Sequence, residues 1–336
     1  MTAALDDRPT APAPARPTGR GPHGLAWLMW RQHRAVLWCW LVLLLLAAVA
    51  APVLRAQMTS YIADHHIAGC AEISTNASCQ DPGQQNAVMV FRDHYGLLLK
   101  AVGALLLLLP AGLGAILGAP LLAQELERGT WKLVLTQSVG RDRWVMAKLL
   151  SAALIGAIGS GLLALLYRWL WQPSANDVSG IAWYSTVFFS SGGPVLVASV
   201  LLALSAGALT GALLRRVLPA MAASVGVVGL LQYGLATLRP HLWGWHTELI
   251  ACSELPNDVW GFAQGFLTPD GHRLPYDICA TALLNCPAEA PGTREFTDVH
   301  LAADYWPLQL VESGICLALA AALTVATIAV VRRRRG

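Results

Sequence analysis

Residues 121–144 read LLAQELERGTWKLVLTQSVGRDRW, and an apolar stretch of membrane-spanning length lies on each side of them. Half of this segment is charged or polar, including two glutamates, three arginines and a lysine. The whole chain has 336 residues, of which 55% are hydrophobic and 13% are charged, whereas a soluble protein carries about 25% charged residues. Because a water-facing globule cannot enclose so much apolar surface, the composition indicates a membrane protein. The quoted segment is then a polar connection between two spans.

Six apolar stretches are long enough to cross a bilayer as helices, for which about 20 residues suffice. Pro110 and Pro120 predict kinks in the second stretch, and the sequence SSGGP at 190–194 predicts that the fourth is broken or re-entrant near its start. The tryptophans lie outside the stretches or near their ends, as in an interfacial belt. We therefore predict an all-α polytopic membrane protein with six transmembrane helices at residues 36–54, 97–122, 145–168, 185–213, 217–238 and 308–331.

The positions of the basic residues predict the orientation of the spans. With the N-terminus inside, the inner segments hold 16 of the 23 Lys and Arg residues but only 5 of the 20 acidic residues. Because four separate inner segments share this bias, the positive-inside rule places both termini in the cytoplasm. Two large extracellular loops are then expected at 55–95 and 239–307. The basic tail at 332–336 is expected to contact lipid headgroups. The net charge itself carries no information about nucleic acid, and we expect no nucleic-acid partner.

The remaining segments complete the predicted domain organisation. Residues 1–24 are rich in Pro and Ala and are expected to form a disordered cytoplasmic tail. Residues 25–34 (LAWLMWRQHR) predict a short interfacial helix that leads into a transmembrane domain at 35–331. The apolar segment VWGFAQGFL at 259–267 is too short to span a bilayer, so we expect it on the outer surface or packed under the outer loop.

The polar segment at 121–144 contains a predicted helix at the inner edge of the membrane. Helix continues from the second span as far as Arg128, and Gly129 is a suitable residue for its end. A charged amphipathic helix in this position is typical of a docking surface. A solvated loop that only maintains the topology explains the same residues, and both interpretations stay open on physical grounds alone.

The pattern E-x-E-x-G-T, followed by TQSVGRDRW, resembles the cytoplasmic loop of ABC-2-type transporter permeases. The motifs WRQHR at 30–34 and YWPLQLVESGI at 305–315 resemble a branch of that family common in GC-rich Gram-positive bacteria. The resemblance implies the membrane subunit of an ABC exporter, whose loop contacts a separate ATPase subunit. By this resemblance the coupling contact would involve Glu125, Leu126, Glu127, Arg128, Gly129 and Thr130.

The same resemblance implies partners, cofactors and a direction of transport. The transporter would contain two permease subunits, as a homodimer or a heterodimer, and the ATPase subunit would bind ATP and Mg. An amphipathic, drug-like, peptide or lipid-like substrate would move outward. The chain has no Gly-Lys pair, which a phosphate-binding P-loop requires, so we expect the permease to have no ATPase site of its own.

The sequence leaves two alternatives to the exporter. A membrane sensor or immunity subunit could bind an extracellular ligand through the large outer loops. A membrane-bound hydrolase is disfavoured, because the sequence has neither a G-x-S-x-G nor an H-E-x-x-H motif.

Polar residues within the spans are candidates for a substrate pathway, because polar groups are costly at membrane depth. Gln232 and Tyr233 lie in the fifth span, and Gln309 and Glu312 lie at the start of the sixth. The alternative for the first two is hydrogen bonding between helices. The alternative for Glu312 is a favourable position in the first turns of a helix. Glycine pairs such as Gly114–Gly118 and Gly207–Gly211 offer close helix packing, within the subunit or between subunits.

Five of the seven cysteines fall in the predicted outer loops, on the oxidising side of the membrane. Their close spacing favours a Cys70–Cys79 disulfide, and Cys279–Cys286 is the next candidate pair. The segment DHHIAGC at 64–70 also allows a metal site with Cys79 and His94. Its spacing is not that of a zinc motif, so we predict disulfides and no metal.

Overall fold

The computed structural model describes residues 25–71, 79–128, 141–252, 255–278 and 290–333. In these ranges six helical segments are long and apolar enough to cross a membrane, which confirms the predicted number of spans. Most of them extend beyond the apolar stretches of the sequence. Their bounds are Leu37–Asp64, Pro82–Glu127, Val145–Ser174, Pro194–Leu214, Val217–His241 and Ala302–Arg333.

Helix α1 runs without interruption over Leu25–Asp64. Residues 25–34, the predicted interfacial segment, form its first turns and continue directly into the first span, because no Gly or Pro occurs before Pro52 to end the helix. The predicted outer loop at 55–95 is also largely helical. It contains the end of α1, a Cys70–Cys79 disulfide and helix α2 (Pro82–Phe91).

The second span is a succession of short elements. A π-helical turn (Arg92–Gly96) leads into α3 (Leu97–Leu113), and a second π-helical turn (Gly114–Gly118) precedes α4 (Pro120–Arg128). Pro110 is accommodated inside α3, and the irregular turn comes one turn later. Pro120 begins α4, as expected from the fixed φ of proline at a helix start.

Among the described residues, five further helices follow α4, and one of them is buried inside the bundle. They are α5 (Arg141–Trp171), α6 (Thr186–Ser191), α7 (Pro194–Leu214), α8 (Val217–Leu238) and α9 (Tyr305–Arg333). Gly192 and Gly193 separate α6 from α7, which confirms the break predicted from SSGGP. Helix α7 is apolar on all sides and 83% of its span is buried, against 11–17% for the spans of α1, α8 and α9. Helix α7 is therefore the core against which the second, third, fifth and sixth spans pack, whereas α1 packs mainly against α5.

Contacts between the helices define the two ends of the bundle. Gln309 of α9 bonds to Val195 of α7, and Thr324 lies 3.2 Å from Ser205, so α9 and α7 run in the same direction. Thr210 of α7 bonds to Ala220 of α8, which runs the opposite way. We call the end with α4 and the α7–α8 turn (Arg215–Arg216) the coupling end. The opposite end, which carries the Cys70–Cys79 disulfide, is the sheet end.

The sheet end carries a four-stranded antiparallel sheet within the segment 239–307, where we predicted a large outer loop beside the six helices. Its strands are β1 (His246–Glu248), β2 (Trp260–Leu267), β3 (Arg273–Pro275) and β4 (Arg294–His300). The strand order is β1-β4-β2-β3, and β4 pairs with β2 with a bulge between Gly261 and Ala263. The segment VWGFAQGFL supplies strand β2, which lies inside the sheet. A tight turn with Gly271 at φ 81° connects β2 to β3, as Asp-Gly sequences favour.

Candidate functional site

Helix α4 lies at the coupling end with one face buried in the bundle. Leu121 and Leu122 pack in a cluster with Val145 of α5 and with Ala208 and Ala212 of α7. The sequence of α4 explains this position, because its apolar residues come first and its charged residues come last. The helix is thus fixed along its first turn and carries its glutamates in its last.

Glu125 forms an ion pair with Lys148 of α5. The Lys148 side chain is only 1% exposed, and its Nζ also lies 3.4 Å from the carbonyl oxygen of Leu121. Glu125 remains 24% exposed, and the second oxygen of its carboxylate is enclosed without a hydrogen-bond partner among the described residues. The pair therefore joins the polar end of α4 to the third span.

Glu127 joins α4 to the fifth span. Its Oε2 accepts a hydrogen bond of 3.0 Å from the backbone N–H of Val217, the first residue of α8. A carboxylate is favourable there, because the first N–H groups of a helix lack partners within the helix and carry partial positive charge. The preceding residue, Arg216, makes no side-chain cap of its own. Glu127 therefore supplies a cap from a distant part of the chain.

Glycine pairs bring the π-helical turn before α4 close to α7. A Cβ on Gly118 would lie 2.8 Å from the Leu204 carbonyl oxygen, and one on Gly211 would lie 3.2 Å from the Ala119 carbonyl carbon. Such contacts leave no room for a side chain. The pairs Gly114–Gly118 and Gly207–Gly211, which the sequence left open, thus pack against each other inside the subunit.

The predicted coupling residues divide into two groups. Glu125, Leu126, Glu127 and Arg128 lie on α4, whereas Gly129 and Thr130 lie outside the described residues. Sequence reasoning missed Lys148 and the Val217 N–H group. No local pattern links these groups to α4, since they lie 23 and 90 residues from their partners.

A second polar cluster lies at the sheet end, around the break between α6 and α7. Glu312 of α9 accepts two hydrogen bonds from Arg239, at 2.8 and 3.0 Å, and both side chains are buried. Arg239 also donates to Ser190 Oγ at 3.0 Å, and its guanidinium lies 4.0 Å from the centre of the Phe189 ring. A buried carboxylate with a bidentate arginine partner is satisfied within the protein.

Gln309, one turn before Glu312, bonds directly across the helix break. Its Nε2 donates to the Phe189 carbonyl at 2.6 Å, and its Oε1 accepts from the Val195 N–H at 3.2 Å. These are backbone groups of α6 and α7 near the break, where regular helical bonding is interrupted. Gln309 therefore joins α6 and α7 to α9 directly, and Glu312 is connected to α6 through Arg239 and Ser190.

The other two pathway candidates lie apart from this cluster. Gln232 Nε2 lies 3.4 Å from the Leu107 carbonyl oxygen, and Tyr233 is 71% exposed on α8. Gln309 and Glu312 therefore lie in the polar cluster near the helix break, whereas Gln232 and Tyr233 lie on α8 outside this cluster.

The sheet is attached to the bundle by aromatic and polar contacts. Trp183 Nε1 donates to the Asp258 carbonyl at 2.7 Å, and Tyr184 stacks on Trp260 with ring centres 5.8 Å apart. Burial raises the pKa of the Tyr184 phenol, and the nearby Cys252 and Asp258 add to this effect. His300 Nε2 lies 2.8 Å from the carbonyl oxygen of Pro240, the residue after Arg239. The sheet therefore contacts Pro240, directly next to Arg239 of the buried Arg239–Glu312 ion pair.

The predicted Cys70–Cys79 disulfide is present, with a Cα–Cα distance of 5.6 Å. Cys279 and Cys286 lie outside the described residues. His65, a candidate for the alternative metal site, stacks on Tyr61 with ring centres 4.1 Å apart. The described parts of the chain contain no group of three His, Cys, Asp or Glu residues that could hold a metal ion.

The fold and the two polar clusters define a multi-pass membrane protein of the transporter type. The family described as "ABC-2 membrane transporter related" matches residues 41–239, which is more than half of the chain. The chain belongs to this family. No curated protein and no solved structure matches it significantly.

Proposed function

We propose that this chain is the permease subunit of an ATP-driven ABC exporter in the bacterial cytoplasmic membrane. A separate ATPase subunit binds ATP and Mg, and its closure moves α4 from the cytoplasmic side. The coupling end then faces the cytoplasm and the sheet end faces outward. Membership of the ABC-2 family and the six apolar helices support this proposal.

The observation that carries the proposal is the attachment of α4 to three spans. Glu125 connects it to α5, Glu127 connects it to α8, and its buried leucines pack against α7. A displacement of α4 therefore acts on the buried central helix and on two of its neighbours together. Packed helices with direct polar contacts are the kind of network that carries energetic coupling.

The substrate path belongs to the exposed face of α8 in this proposal. Only 17% of the α8 span is buried within the subunit, and Tyr233 projects from the exposed face. A second permease subunit, identical or different, covers this face and forms the path with it. An amphipathic or lipid-like substrate suits such a path, because its wall is apolar with a few polar groups.

Affinity purification of the full chain from membranes of its native host tests the proposal. We expect an ABC ATPase to co-purify, and we expect transport to require it. Glu127→Gln keeps an oxygen acceptor for the Val217 N–H and should retain most activity, whereas Glu127→Ala removes it and should lower transport per ATP hydrolysed. Absence of any P-loop ATPase from the wild-type complex would overturn the proposal.

A sensor or immunity subunit is the second candidate, and the attachment of the sheet favours it. His300 and Arg239 connect the sheet to α8 and α9, so ligand binding at the sheet would reach two spans. Ligand-dependent protection of the sheet in a chain that binds no ATPase would support this alternative over the exporter.

A further inference from the structure

One end of the sheet lies directly against the end of the fifth span. At this end His300 of β4 pairs with Trp260 of β2, and the neighbouring Val299 pairs with His246 of β1. His300 Nε2 lies 2.8 Å from the carbonyl oxygen of Pro240, two residues after α8 ends. We call this end of the sheet the sheet base.

The end of α8 lies level with the first turns of α9. Arg239, the residue after α8, forms its ion pair with Glu312. Glu312 is the eighth residue of α9, so it lies about 10 Å along that helix from Tyr305 at 1.5 Å per residue. The two side chains together bridge at most a comparable distance. The end of α8, and with it the sheet base, therefore lies no higher than the start of α9.

Exposed apolar side chains indicate that α9 begins at the membrane surface. Trp306 is 51% exposed, and Leu310, one turn further along α9, is 63% exposed. Indole rings are favoured at the level of the lipid headgroups, and leucine is favoured in the acyl region below them. By the register of α8 and α9, the sheet base lies at this level too.

Two tryptophans project from the connection between α8 and β1, next to the sheet base. Trp243 and Trp245 are 44% and 45% exposed, although the Trp245 ring also meets the rings of His241 and Phe262 edge-on. The far end of the sheet has a different surface, because the turn between β2 and β3 exposes Asp270. The two exposed indole rings thus lie at the end of the sheet that is next to the membrane.

We propose that the sheet base is sunk into the lipid leaflet at the sheet end, with Trp243 and Trp245 among the headgroups. Their rings bury apolar surface against the upper parts of the acyl chains, and their indole N–H groups remain within reach of headgroup oxygens. Lipid is the partner of this surface because the surface continues that of the spans at the same level. The contact does not depend on ATP-driven transport.

Electron paramagnetic resonance of a spin label at position 244 tests the depth of the sheet base. Gly244→Cys keeps both tryptophans, and a Cβ at this position has no atom within 4 Å, so the fold should tolerate the label. The matched controls are Glu248→Cys on β1 and Asp270→Cys at the far end of the sheet, and both positions are exposed. The background replaces every other cysteine except Cys70 and Cys79 by alanine.

The measurement compares collisions of the label with dissolved oxygen and with a water-soluble nickel chelate, in phosphatidylcholine vesicles. We expect the ratio of oxygen to nickel collisions to be several-fold higher at position 244 than at position 270, with position 248 between them. A ratio at position 244 as low as that at position 270 would place the sheet base in water and overturn the proposal. Protection from both reagents would identify a protein partner, such as a second subunit, and would also overturn it.

A second variant tests the two tryptophans themselves. Trp243→Gln with Trp245→Gln, in the Gly244→Cys protein, removes both indole rings and should lower the ratio at position 244 towards that at position 270. An unchanged ratio would refute the role of the tryptophans in holding the sheet base in the leaflet.

Discussion

Glu125 and Lys148 form an ion pair in which one partner is almost completely enclosed. The ammonium group of Lys148 has left water, and the Glu125 carboxylate compensates for that loss together with the Leu121 carbonyl. Breaking a buried pair from one side is costly, because it leaves an uncompensated charge. Glu125 therefore stabilises the fold, in addition to the part in coupling that we propose for it.

Replacing Glu125 alone should destabilise the protein. We expect Glu125→Ala to cost about 3 kcal/mol or more, because Lys148 would remain buried without its carboxylate. The double variant Glu125→Leu with Lys148→Met removes both charges and should recover most of that loss. Thermal unfolding of the three proteins in the same detergent measures the difference. A double variant as unstable as the single one would contradict this account of the pair.

At the scale of elements, α6 and α7 are two helices held together across their break by side chains of α9. Gln309 bonds to backbone groups of both halves, and Tyr305 donates to the Gly192 carbonyl at 3.3 Å. Unpaired backbone groups are costly in a membrane, so a broken helix needs such partners. The break is thus a supported feature of the fold.

Gln309→Ala should leave the Phe189 carbonyl and the Val195 N–H without their side-chain partner. We expect a loss of about 1–3 kcal/mol, the usual cost of an unsatisfied buried group. The exposed Gln124→Ala on α4 is a matched control and should change the unfolding temperature little. Hydrogen exchange at 186–196 gives a local measurement, and unchanged protection in Gln309→Ala would refute the bridging role.

Helix α7 packs closely against the turn before α4, and this contact predicts that a larger side chain at Gly211 destabilises the protein. Gly211→Val places a side chain against the Ala119 backbone, so α7 and α4 must separate. Overpacking of this kind costs about 1–3 kcal/mol. Gly226 of α8 has no atom within 4 Å of an added Cβ, so Gly226→Val is the control and should be tolerated. Thermal unfolding of both variants tests the difference.

Sequence reasoning succeeded where the signal is local and failed where it depends on distant residues. Hydropathy identifies the spans, SSGGP identifies the break, and nearby cysteines identify the Cys70–Cys79 pair. The sheet escaped prediction because two of its strands have only three residues, too few for a periodic pattern. The partners of Glu125 and Glu127 could not be predicted, since they depend on how α5 and α8 pack around α4.

At the scale of the whole molecule, the two ends of the bundle differ in chemistry. The coupling end carries the exposed Arg215–Arg216 turn, and the sheet end carries the disulfide. Disulfides form in oxidising compartments, and basic connections remain in the cytoplasm. These two independent rules predict the same orientation, which the proposed function requires.

Cysteine accessibility in intact cells tests that orientation. Arg216→Cys reports on the coupling end and Asp270→Cys on the sheet end, and both positions are exposed. The background replaces every cysteine except Cys70 and Cys79 by alanine, because a disulfide does not react with maleimide. An impermeant maleimide should label position 270 in intact cells and position 216 only after lysis. Labelling of position 216 from outside would place α4 beyond the reach of a cytoplasmic ATPase, and the exporter proposal would fail with it.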